Sequence, residues 1–306
     1  MNRILITGAN GHLGQRLLRR VAAQRSPGSG VGARAVVRSK QAAAAVAALG
    51  LTSDCVVADY RDVDALARAA ASCHALVHLV GILKESSRTS YAEAHEATAQ
   101  AIAAAAEKAG VRRIVYLSIL GAHPGSTNPC LASKGRAEAT LLGCSVPTTV
   151  IRLPMVLGAG EPAALALRAK AMRRVVLLVR GGASREQPLD ADDVTTAILA
   201  ATRHGGEGRS LDLAGPESLP HRELVLRAAS LLGRRPRMAA LPLAVARAFA
   251  ALAERTFTNP PLTRAMLEVL EHDDEIDPAP ACQALGLALT PLDETLRRCL
   301  LARDPT

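Results

Sequence analysis

The stretch ILITGANGHLG, residues 4–14, decides how this chain is read. Ile4 to Ile6 make an apolar run of strand length, and beyond the glycines Leu13, Leu17, Leu18 and Val21 recur at helical spacing. Strand, glycine-rich turn and helix is the order a phosphate-cradling loop needs, because a helix N-terminus presents unpaired N–H groups and a partial positive charge to an anion. Each glycine has its own reason to be there. Gly8 permits the tight turn, Gly11 lets backbone approach a pyrophosphate, and Gly14 lets the helix pack closely on the strand.

The pattern continues outward from that loop. ARAVVRSK (33–40) reads as a second strand, AAAAVAAL (42–49) as a helix, DCVVAD (54–59) as a third strand and DVDALARAAA (62–71) as a helix. HALVHLVG (74–81) reads as strand four, residues 91–110 as one long alanine-rich helix, and VRRIVYLSI (111–119) as strand five. Such alternation predicts an α/β fold with a doubly wound parallel sheet and helices on both faces.

Composition narrows the function. The 306 residues are 49% hydrophobic and 21% charged, a globular balance, but only 2% are aromatic and Trp is absent. The core must therefore be built from Ala, Leu and Val, and recognition of single-stranded nucleic acid by stacked aromatics is disfavoured. The net charge is +9, yet all but five of the 37 basic residues are Arg, spread along the chain rather than gathered in a stripe, so no nucleic-acid partner is expected. The six cysteines show no C-x-x-C spacing and the histidines follow no ligand rhythm, so neither a metal site nor a disulfide framework is expected. The start of the chain lacks a signal-peptide cleavage pattern, and no apolar run is long enough to span a bilayer. The expected setting is a reducing, cytoplasmic one.

The spacing T-G-x-x-G-x-x-G, here Thr7, Gly8, Gly11 and Gly14, resembles the dinucleotide loop of the short-chain dehydrogenase/reductase superfamily in its extended or atypical branch. The resemblance implies a Rossmann-like fold in which residues 1–153 bind NAD(P) and residues 154–306 form a smaller, mainly helical region that completes the cleft. It assigns the cofactor to Thr7, Gly8, Asn10, Gly11, His12, Leu13 and Gly14, to Asp59 of VVADYRD beside the adenine, to Val80 and Gly81 of HLVG, and to Lys134. Arg38 stands at the end of strand two, where an acidic residue would meet the ribose diol of NAD and an arginine accommodates the extra phosphate of NADP. NADP(H) is thus the expected cofactor, with NAD(H) as the alternative.

The same family places a serine and a Tyr-x-x-x-Lys motif at the reacting carbon. Ser118 and Lys134 match, but the segment reads CLASK (130–134), with Cys130 in place of the tyrosine. A thiol beside a cation has a lowered pKa. It is nevertheless a shorter and softer donor than a phenol, and Cys130 reads as filling space. Tyr60, Tyr91 and Tyr116 are the only tyrosines and read as packing or surface residues.

In the second half, VPTTVIRLPMVLGAGEP (146–162) resembles the family's Arg-Pro…Gly-x-Gly segment through Arg152, Gly158 and Gly160, although Leu153 replaces the usual proline. Asp192 or Asp193 is positioned to cap the helix that follows. The ending NPPLTRAMLEVL (259–270) and TPLDETLRRCL (290–300) is similar to the nucleotide-binding accessory subunits of respiratory complex I and their bacterial relatives. That likeness implies tight NADPH binding without the tyrosine, and a C-terminal region that meets membrane or protein partners. Residues 241–256 form a weakly amphipathic helix whose apolar residues, Phe249 and Leu252 among them, are expected to pack on the chain's own sheet rather than on a membrane. Peripheral contact with the inner membrane is the minority expectation. Three functions follow: a redox-linked or structural NADP(H) binder; an active oxidoreductase or nucleotide-sugar epimerase or dehydratase with another proton donor; and an NADP(H)-sensing regulator that binds a protein.

Overall fold

In the computed structural model, which describes residues 2–24, 31–52, 54–204, 208–258, 260 and 262–301, six strands carry the first half. They are β1 (Asn2–Thr7), β2 (Val31–Val37), β3 (Cys55–Val57), β4 (Ala75–His78), β5 (Arg113–Ile119) and β6 (Thr148–Leu153). A seventh, Arg209–Asp212, returns from the second half to pair with β6. All seven run parallel in the order Arg209–Asp212, β6, β5, β4, β1, β2, β3. The order reverses direction between β1 and β4, and a ligand crevice opens at such a switch point, beyond the C-terminal strand ends.

Side-chain alternation along β1 shows how the sequence covers both faces. Ile4 and Ile6 point to one side with Val37, Val115 and Ile151, where α1 (His12–Ala23) and α7 (Ala191–His204) seal the core through Leu17, Leu18, Val194 and Ile198. Leu5 points to the other side with Val36, Leu76 and Ile114, beneath α3 (Val63–Ala70), α4 (Thr98–Ala109) and α5 (Pro129–Leu142). Alanines dominate the second layer, among them Ala99, Ala103, Ala105 and Ala106 of α4. Small side chains let these helices approach the sheet and one another closely.

Three elements depart from the expected pattern. Strand four ends at His78, so Leu79 to Gly81 form a loop instead of a strand end. The long helix begins as a π-helical segment, Ala92–Ala97, before α4 takes over. In the second half residues 260–276, PPLTRAMLEVLEHDDEI, read from sequence as one helical stretch, but the helix is confined to α10 (Arg264–Leu270). A third core there joins α6 (Pro162–Ala171), α8 (His221–Leu231) and α12 (Leu292–Leu301) through Leu167, Leu224, Val225 and Leu296. No helix among the described residues is long and apolar enough to cross a membrane.

Candidate functional site

The glycine loop between β1 and α1 is built by backbone constraints. Gly8 has φ +72°, a left-handed conformation open to glycine without strain. A Cβ at Gly14 would stand 2.4 Å from Gly8 O and 2.7 Å from Ala9 Cα, so no side chain fits there. The Gly8 N–H donates to Tyr60 Oη at 2.9 Å, and the Tyr60 hydroxyl donates to Val36 O at 3.0 Å. Tyr60 thereby ties the loop to the end of β2. Gly11 precedes α1 and has no side chain to cap its first turn, which leaves those N–H groups available to an anion.

This loop forms one wall of a cleft of about 750 Å³ at the switch point, lined there by Gly8, Asn10 and Gly11. Arg38 and Ser39 enter from the end of β2, Asp59 and Arg61 from beyond β3, and Val80 and Gly81 from beyond β4. Arg88, Glu93 and Thr98 close the remaining side. The Arg38 guanidinium sits 5.8 Å from the centre of the Tyr60 ring. Hydrogen bonding by Arg61, 3.1 Å away, holds the Asp59 carboxyl below its usual range. Of the other loop residues, Thr7 is buried at the end of β1, His12 is exposed at the start of α1, and Leu13 packs against the core.

Behind Gly81 a second wall of buried polar groups gathers around Lys134, which with Ser118 and Cys130 stands outside the cleft's own lining. Lys134 is buried, its Nζ donating to Leu117 O at 3.0 Å and lying 4.6 Å from the Tyr116 ring centre. A Cβ at Gly81 would come within 2.8 Å of that ammonium, so Gly81 lets Lys134 abut the loop beyond β4. Burial lowers the Lys134 pKa to about 8, near the pH at which a lysine can exchange a proton. Ser118 Oγ and Tyr116 Oη are buried and have no hydrogen-bond partner among the described residues.

Cys130 lies at the start of α5, fully buried, with its thiol donating to Ile82 O at 3.7 Å. Lys134 pulls its pKa down, but burial is the larger effect and the thiol sits above its ordinary value. The lowering expected from the neighbouring cation therefore does not prevail. Tyr91 adjoins Cys130, and its hydroxyl donates to Leu83 O at 2.8 Å while burial pushes its pKa up. Tyr116 is also pushed up by burial.

Two histidines brace this wall. Ile82 N–H donates to His95 Nε2 at 3.0 Å, so Nδ1–H is the donor to Ser133 Oγ at 2.7 Å, and Ser133 in turn donates to Cys130 O. His78 Nδ1 lies 2.7 Å from Thr7 Oγ1, and Nε2 lies 3.3 Å from Thr98 Oγ1. Burial first, then Lys134, brings both histidines down to about 3, so they are neutral at physiological pH. His95 and Arg88 had no motif to mark them in the sequence, and His78, Tyr60 and Arg61, though inside HLVG and VVADYRD, were not singled out for the cofactor. A histidine in an alanine-rich helix reads as core, and the π-helical segment that turns His95 toward Ile82 has no sequence signature.

In the second half Arg152 is held by the Glu138 carboxylate at 2.6 Å, and a Cβ at Gly158 would meet Ala191 Cβ at 2.6 Å. The capping expected of Asp192 or Asp193 falls instead to Asp190, whose Oδ1 accepts from Asp192 N–H at 2.7 Å. Asp192 pairs with Arg16 of α1, and Asp193 accepts from Thr290. The helix α9 (Leu243–Thr256) also corrects its expectation. It buries Ala246, Ala250 and Ala253 and exposes Val245, Phe249 and Leu252, because the small residues alone fit against the molecule.

A family model described as NAD(P)H-binding matches residues 8–169. The chain is 28% identical, over 63% of its length, to the mitochondrial NADH dehydrogenase [ubiquinone] 1 alpha subcomplex subunit 9 of Arabidopsis thaliana, and the match spans about half (49%) of that relative. It is 27% identical to a ceramide reductase of Caulobacter vibrioides over 78% of this chain and 73% of the relative. Among solved structures, a nucleoside-diphosphate-sugar epimerase from Pseudomonas aeruginosa superposes with a TM-score of 0.75 at 22% identity, covering 97% of this chain and 96% of that one. That likeness speaks for the fold.

Proposed function

Since the chain belongs to the NAD(P)H-binding family, we propose that it holds NADP(H) in the cleft between β1 and β4 as a redox-linked or structural cofactor, without tyrosine-dependent turnover. The observation that carries this reading is the place of Cys130: fully buried, outside the cleft's lining and with its thiol turned to Ile82 O, it has no contact with a substrate in the cleft. Nor do the tyrosines replace it. The Tyr60 and Tyr91 hydroxyls are donors to backbone carbonyls, and Tyr116 is sealed in the core.

Bound nicotinamide would supply the capacity to give or take a hydride. The chain's own residues divide the remaining work. The loop from Gly8 to Gly14 and the start of α1 receive the pyrophosphate, Asp59 meets the adenine amino group, and Lys134 holds the ribose hydroxyls from beneath Gly81. Arg38, braced over Tyr60, receives the extra phosphate of NADP, with Arg61 and Arg88 on the same cleft adding positive potential. The exposed apolar face of α9, flanked by Arg247 and Arg255, is the surface for a protein partner or a membrane. Kinship with the plant complex I subunit supports the protein partner.

A second reading, a reductase that draws its proton from water or substrate, is favoured by the name of the Caulobacter relative and by the low Lys134 pKa. Titrating the wild-type chain and Arg38→Ala with NADPH and NADH, followed by nicotinamide fluorescence, tests the assignment. Arg38→Ala should weaken NADPH by about tenfold or more, the loss of a charge-assisted phosphate contact worth ~1.5–3 kcal/mol, and leave NADH nearly unchanged. Equal loss for both nucleotides would remove Arg38 from the phosphate site.

A further inference from the structure

A second cavity of about 310 Å³ lies in the C-terminal half and shares no lining residue with the nucleotide cleft. Its size falls at the lower end of small-molecule sites, about 300–1,000 Å³. The walls are aliphatic: Ala163, Ala166 and Leu167 of α6 face Leu267 and Leu270 of α10. An apolar wall of this kind excludes water and offers a chain no hydrogen bonds, only burial and close contact.

The polar groups lie apart from that wall as a connected set. Lys170 Nζ is 3.0 Å from His221 Nε2, and His221 Nδ1 is 3.1 Å from Glu186 Oε1. With Lys170 as donor to His221 Nε2, the ring turns its other nitrogen toward the Glu186 carboxylate without hydrogen-bond geometry to it. Glu271 is the group left over. Its Oε2 is buried, has no hydrogen-bond partner among the described residues, and lies 4.0 Å from the nearest cation, Arg180. A buried carboxyl oxygen without a partner carries a desolvation cost that a donor from a ligand would relieve.

The lining therefore holds two carboxyls against one ammonium, and of its two buried atoms without a hydrogen-bond partner among the described residues, His221 Nδ1 already faces the Glu186 carboxylate at 3.1 Å while Glu271 Oε2, an acceptor, faces no donor. This disfavours an anionic head, such as a carboxylate or phosphate, and favours a donor. We propose that this cavity is a binding site for a single-chain amphiphile, with its aliphatic chain between α6 and α10 and its hydroxyl or ammonium head donating to Glu271. The site does not depend on the nucleotide assignment.

Isothermal titration of the full chain with decylamine, 1-decanol and decanoate, each below its aggregation concentration, tests this directly. Decylamine and decanol should bind at a single site, with decanoate weaker by about tenfold or more. Ala163→Phe should fill the cavity and abolish binding while NADPH affinity is retained, which separates a blocked site from a misfolded chain and from failure of the nucleotide reading. Glu271→Gln should weaken decylamine about tenfold and decanol far less, because a neutral amide keeps the acceptor but loses the charge. Absence of binding by amine and alcohol overturns the proposal, as do tighter binding of decanoate and binding unchanged in both variants.

Discussion

The glycines of the loop differ in what they tolerate. Around Gly11 the nearest atom to an added Cβ is Gly8 O at 3.2 Å, a contact that a small shift relieves, whereas at Gly14 three backbone atoms stand within 2.8 Å. Backbone cannot rotate away as a side-chain end can. Gly14→Ala should therefore cost about 1–3 kcal/mol of stability and lower nucleotide affinity more than Gly11→Ala does, as read by urea midpoints and NADPH titration. These positions were legible in the sequence because glycine spacing is itself the signal. The Tyr60 hydroxyl, which accepts from Gly8 N–H, was not, since 52 residues separate the pair and only the fold joins them.

At the scale of elements, the β4 and α4 region carries a pH signature. His78 and His95 sit at about 3 instead of the ordinary 6.5, so the unfolded chain binds protons that the folded chain refuses. Stability should fall as pH drops from about 6.5 toward 3, by at most about 1.4 kcal/mol per pH unit for each histidine. Lys134 acts in the alkaline range. Its folded value of about 8 lies below the ordinary 10.5, so the unfolded chain again holds more protons, and stability should rise between those limits. Urea midpoints across pH should show both limbs, with Lys134→Met abolishing the alkaline one and moderating the acid one, because the lysine charge also helps to depress both histidines; an alkaline limb that persists in the variant would assign it elsewhere.

Helix α9 was read correctly as a helix but with the wrong face inward. Hydrophobicity pointed to Phe249 and Leu252, while packing selected Ala246, Ala250 and Ala253, whose size suits the close contact available. Both phenylalanines of the chain, Phe249 and Phe257, consequently stand more than half exposed. Replacing Phe249 and Leu252 with serine should change stability by less than about 0.5 kcal/mol in urea, the range of surface substitutions. A loss of several kcal/mol would mean that this face is covered within the chain.

For the molecule as a whole, alternation of strand and helix foretold the parallel sheet, because each buried strand and each amphipathic helix left a local period. The closing strand, Arg209–Asp212, joins β6 from 56 residues beyond its end, and no local period encodes that partner. The site divides along the same line. The glycine loop and Arg38 belong to one continuous strand–turn–helix and strand end, while the cluster of Lys134, Cys130, His95 and Tyr91 behind the cleft is assembled from two segments, residues 91–97 and α5.

The central claim is that the cleft holds NADP(H) without a side chain able to complete a reduction. The most direct measurement is the nicotinamide absorbance of the NADPH-loaded protein, followed over time with a broad panel of carbonyl compounds. The account predicts a stable signal, no faster to decay than in protein-free controls. Oxidation of the cofactor by any of them, lost in Lys134→Ala while NADPH binding persists, would contradict it and establish a working reductase.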